Sequence, residues 1–70
     1  MGQIFRVYSD IQAIIVTTTK VSKDELIVNV EGNSVHFDIQ EEEESKGIAI
    51  IEKENVQKLF DWLKSKDVVR

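Results

Sequence analysis

Residues 26 to 39, LIVNVEGNSVHFDI, constrain this chain more than any other stretch. Gly32 followed by Asn33 suits a two-residue hairpin loop, in which glycine supplies the positive φ that the first loop position needs. Such a loop dictates a register. Glu31 faces Ser34, Val30 faces Val35, Asn29 faces His36, Val28 faces Phe37, Ile27 faces Asp38 and Leu26 faces Ile39. The side chains then sort by chemistry. Leu26, Val28, Val30, Val35, Phe37 and Ile39 fall on one face; Asn29, Glu31, Ser34, His36 and Asp38 fall on the other, with Ile27 among them. A slip of one residue would destroy this separation, so loop chemistry and hydrophobic pattern specify the same hairpin.

The two-residue period extends in both directions. QIFRVYS (3–9) alternates around Phe5 and Val7, and Ser9-Asp10 signals a turn. IQAIIVTTTK (11–20) is too rich in β-branched residues for a comfortable helix and reads as a strand. VSKDE (21–25) reads as a polar break, and strands follow at 26–31 and 34–40. QEEEES (40–45) reads as an exposed loop. KGIAIIE (46–52) forms a further strand, with Ile48 and Ile50 on one face and Ala49 and Ile51 on the other. The period then changes. Val56, Leu59, Phe60 and Leu63 follow helical spacing over 53–66, with Glu54, Lys58, Asp61 and Ser65 opposite. Glu54 and Lys58 are placed for an i,i+4 pair, Glu52 falls at the N-cap, and Ile51 is placed to staple to Val56.

These elements predict one α+β domain over 1–70: an antiparallel sheet of four to five strands built from hairpins, with one C-terminal amphipathic helix packed on one face. The face left open then carries Ile27, Ala49 and Ile51. The second strand adds either Ile14 and Val16 or Ala13 and Ile15. Such a face is covered by a second copy or a partner, or shielded by sheet curvature and the N-terminal strand. Trp62 lies about 110° from the centre of the helix stripe. It is either a border residue of the core or an exposed anchor for a partner.

Size and composition narrow the function classes. A chain of 70 residues buries little surface, and small domains commonly add a disulfide, a metal or a second subunit. With no Cys, disulfides and thiolate metal sites are excluded, leaving oligomerisation, and a homodimer is expected. The absence of Cys and of a long apolar run fits a cytoplasmic protein without a membrane span. The start, Met1-Gly2-Gln3-Ile4-Phe5-Arg6, alternates like a strand instead of resembling a signal peptide. The net charge of −4, with basic residues dispersed, disfavours general binding to a phosphate backbone.

Catalytic motifs are thin. Ser34, His36 and Asp38 are the residue types of a hydrolase triad, but side chains at i and i+2 on a strand stand parallel and do not converge. One His beside carboxylates falls short of a four-ligand zinc site. Glu41, Glu42, Glu43 and Glu44 lack the Asp/Asn alternation and turn glycine of a calcium loop. They read as a solvated connection that blocks edge pairing, or as an electrostatic lure for a basic partner.

The segment VHFDIQEEEESKGIAIIEKENVQKLFDWL (35–63) resembles the single-stranded-DNA-binding coactivators of the positive-cofactor-four type. Asp38-Ile39-Gln40-Glu41 and Lys46-Gly47-Ile48 stand where that family has its final strands, ahead of an amphipathic helix. The resemblance implies a curved four-stranded sheet, dimerisation through the helices, and single strands lying on basic and aromatic sheet residues. Here Arg6, Tyr8, His36 and Lys46 would supply that surface. Gln40 departs from the family's basic residue, and the loop is acidic where the family's is basic.

The residues themselves favour a small acidic non-enzymatic protein-binding module, a regulator or inhibitor of the compact kind that phages encode. It needs no cofactor. Its partner is an unidentified and basic protein, and its candidate contacts are Glu41 to Glu44, Ile27, Ile51 and Trp62.

Overall fold

A computed structural model describes residues 2–18 and 21–69. Five strands, β1 (Gly2–Ser9), β2 (Gln12–Thr18), β3 (Lys23–Glu31), β4 (Ser34–Glu41) and β5 (Glu44–Glu52), form one antiparallel sheet in the order β1-β2-β3-β4-β5. A single helix, α1 (Lys53–Ser65), follows. The α+β meander expected from the alternation is thus present with all five strands. No helix among the described residues is long and apolar enough to cross a membrane.

The central hairpin has the register dictated by its loop, from Glu31 opposite Ser34 to Leu26 opposite Ile39. Gly32 has φ of +57°, while Asn33 is not in the positive-φ region. This is the pattern of a type II′ turn, whose twist matches that of the flanking strands. Pairing runs two residues further than expected, through Glu25–Gln40 and Asp24–Glu41, and the Glu42 N–H donates to Lys23 O at 3.0 Å. Lys23 to Glu25 therefore belong to β3 and not to a polar break. Their backbone is held by β2 on one side and β4 on the other, which outweighs their weak strand propensity. On the other side, Asp10 and Ile11 make the β1–β2 turn, so β2 starts at Gln12. Thr19 and Lys20, at the end of the strand expected over 11–20, lie outside the described residues.

QEEEES is not a loop. Gln40 and Glu41 end β4, Glu44 and Ser45 begin β5, and only Glu42 and Glu43 turn the chain. Both turn residues have positive φ, 52° and 69°. This matches the two-residue type I′ geometry that normally selects Asn-Gly.

A bulge follows at once. Gln40 pairs with Ser45, but Ile39 pairs with Gly47, leaving Lys46 as the extra residue. One inserted residue reverses the facing of everything beyond it. Without it, the tight turn would set Ile48 opposite Phe37 and Ile50 opposite Val35. With it, Ala49 faces Phe37 and Ile51 faces Val35, while Ile48 and Ile50 stand opposite Asp38 and His36. Ile51 is therefore not on the open face with Ile27, contrary to the expectation from alternation alone. Ile27 does keep its place, with Ile14 as its β2 neighbour.

Carried across every ladder, the register gives one face that is apolar except for Gln3, Thr17, Asp24, Glu41 and Glu44 at one end: Phe5 and Val7 on β1, Ala13 and Ile15 on β2, Leu26, Val28 and Val30 on β3, Val35, Phe37 and Ile39 on β4, and Ala49 and Ile51 on β5. The helix packs at the β4–β5 end of this face. It makes its sheet contacts with those two strands, Val35 is 8% exposed and Ile51 half-buried, whereas Ile48 and Ile50 on the other face are 65% and 64% exposed. The Lys53 N–H donates to Asn33 O at 2.8 Å, tying the helix start to the central hairpin turn. Val56 and Leu63 of the stripe are half-buried.

Glu52 is the N-cap, with extended φ/ψ and no side-chain cap bond. The other end is better closed. The Val68 N–H donates to Leu63 O at 3.0 Å and the Asp67 N–H to Lys64 O at 3.2 Å, with Asp67 at φ of +60°. This is a Schellman motif, with Asp where glycine is usual. Glu54 and Lys58 form the expected i,i+4 pair at 3.7 Å, fully on the surface and worth little.

Candidate docking surface

The apolar face is much wider than the helix on it. Five strands about 4.8 Å apart span roughly 19 Å between the outer strand axes, whereas a helix is about 10 Å across. Half the face stays open. Phe5 and Val7 on β1 are 65% and 68% exposed, and Ile15, Val30 and Ile39 are also exposed. Two shallow hollows lie here, one beside Ile15, Leu26 and Ile39, the other beside Val7, Ala13, Val28 and Val30. On the helix, Leu59, Phe60 and Trp62 are exposed. Trp62 is 57% exposed, with Lys66 Nζ 5.9 Å from the ring centroid, so it is an exposed aromatic and not a core residue.

Among the described residues, Val35 is the only one that is buried. The described residues form no dry core of their own. Its radius of gyration is 13.3 Å, where a compact domain of this length has about 11 Å. Its accessible surface is 5732 Å², against about 4,500 Å² for a folded monomer of this mass.

The opposite face is mixed. Ile4, Ile14, Val16, Ile27, Ile48 and Ile50 alternate with Arg6, Gln12, Asn29, His36 and Asp38. Its polar groups bond one another: Gln12 Nε2 donates to Asn29 Oδ1 at 3.0 Å, Ser45 Oγ to Asp38 Oδ1 at 3.0 Å, and His36 Nε2 lies 3.0 Å from Glu31 Oε2. Ser34, His36 and Asp38 share this face, but His36 and Asp38 direct their bonds to Glu31 and to Ser45 and Gln40. Arg6 and His36 also share it, on β1 and β4, three strand spacings or about 14 Å apart. Tyr8 sits at a β1 irregularity between Val7 and Ser9, and Lys46 sits at the β5 bulge with Nζ 3.3 Å from Glu44 Oε2. These four residues do not line one groove.

The acidic residues gather at the end of the sheet away from the helix start. Glu41 stands opposite both Asp24 and Glu44, and Glu42 and Glu43 project at the turn. No group of three or more Asp, Glu or His among the described residues is arranged to hold a metal ion.

The site differs from the one expected. Trp62 and the acidic residues remain surface features. Ile51 moves beneath the helix. Ile39 was legible as apolar but expected under the helix, Ile15 was one of two alternatives for the open face, and Phe5 and Val7 were legible as apolar without an assigned face. Comparing helix width with sheet width would have exposed them. No family model, curated protein or solved structure matches this chain.

Proposed function

We propose that this chain is a small non-enzymatic protein-binding module of the regulator or inhibitor type, docking through the open half of its apolar sheet face. One observation carries the reading: a continuous apolar surface, with Phe5 and Val7 two-thirds exposed at its margin, on a domain with only one buried residue among those described. Scattered surface apolar residues need no explanation, but a contiguous face of them marks an interaction site. The acidic turn at one end of the sheet adds steering toward a basic partner, an effect on association rate that salt weakens. Single-strand binding has less support, since stacking platforms need a positive groove and the basic residues here are spread over separate places.

A photo-cross-linking amino acid at Phe5, with one at Ile50 on the opposite face as control, tests the reading in cells. A discrete protein adduct from position 5 and none from position 50 is the expected result. Absence of any adduct from position 5 would sink it.

A further inference from the structure

We infer that the open half of the apolar face is filled by a second copy of this chain, related by a two-fold axis. Each copy offers Phe5 of its first strand to the hollows of the other. The inference deepens the binding-module reading and rests on it.

Area favours this occupant. The surface of 5732 Å² exceeds that of a compact monomer by about 1,200 Å². Twice that, about 2,400 Å², falls in the range buried by obligate homodimers and above that of most transient complexes. A chain with one buried residue among those described also needs its partner at all times, and a permanent occupant fits a copy made with it better than a passing ligand. Chemistry agrees. The open area is mostly apolar, as homodimer interfaces are, with Asp24, Glu25 and Glu41 confined to its edge at the acidic end of the sheet. A two-fold interface needs one patch carrying both projections and recesses. Here both occur on the same patch: two-thirds-exposed Phe5 stands beside Ile15 of one hollow, and Val7 lines the other.

The chain has one tryptophan, Trp62, exposed on the helix that covers the other half of the face, and it serves as the reporter. Sedimentation equilibrium and Trp62 emission are followed together on dilution from hundreds of micromolar. The expected mass is twice 8.1 kDa at the top of the range. As it halves on dilution, Trp62 emission moves to the red and acrylamide quenching rises in step. Phe5→Glu shifts both transitions to at least tenfold higher concentration. Should that variant unfold, the wild-type dilution still decides the matter. A mass of 8.1 kDa at hundreds of micromolar overturns the inference, as does a dimer that folded Phe5→Glu leaves undisturbed. A monomer that still yields a position-5 adduct with a different protein overturns the second copy while leaving the binding-module reading intact.

Discussion

Among the described residues, three non-glycine positions hold the left-handed backbone region: Glu42, Glu43 and Asp67. For L-residues this region costs about 1–2 kcal/mol each, somewhat less for Asp. Nothing in the residue types Glu-Glu announces a tight turn. The pairing of β4 with β5 imposes it, which explains why the run read as a loop. Gly32 is the contrast, since its residue type and its φ of +57° agree, and its turn was legible at once. The double change Glu42→Asn and Glu43→Gly should raise stability by about 1 kcal/mol, and Asp67→Gly by about half that. Gly32→Ala should lower it by about 1 kcal/mol, through backbone strain alone, because a Cβ there meets nothing within 4 Å. Urea unfolding reads all three as midpoint shifts at constant slope. A null effect of the Asn-Gly replacement would mean that the turn relaxes in solution.

At the scale of the element, strands and helix were legible because each has a period that its packing preserves. The facing of β5 was not, because a bulge adds one residue without altering the alternation of the sequence around it. Ile48 and Ile50 alternate as well as Ala49 and Ile51 do, and only the position of Lys46 decides which pair meets the helix face. The outcome trades two isoleucines on that face for Ala49 and Ile51, which sets the small Ala49 opposite Phe37. The helix start is legible but weak. Glu52 has the extended backbone of an N-cap and no side-chain bond to the free N–H groups of the first turn. Glu52→Ser supplies a short hydroxyl that reaches them, and should stabilise the protein by about 1 kcal/mol. Thermal unfolding at fixed protein concentration measures it. An unchanged or lowered midpoint would show that the pairing of Glu52 with Ser34 at the end of the β4–β5 ladder matters more than the cap.

At the scale of the whole molecule, the candidate surface follows from a mismatch of widths: one 13-residue helix on a five-stranded sheet. If a second copy completes the core, folding and association are one event, and stability depends on protein concentration by mass action. The dependence has a calculable size. Tenfold dilution removes about 1.4 kcal/mol from a dimer. An unfolding entropy of about 2.1 cal/mol/K per residue, taken over both chains, turns this into a fall in Tm of about 5 °C per tenfold dilution. A monomer gives no shift, so scans at several concentrations separate the two without any substitution. The same series discriminates surfaces. Adding Phe5→Glu should lower Tm at every concentration, by an amount that high salt leaves in place, because lost apolar contact is not screened. Replacing Glu42 and Glu43 by Gln should leave the concentration slope untouched, since the acidic turn lies outside the apolar patch. A slope that vanished with the acidic turn would instead place the contact at that end of the sheet.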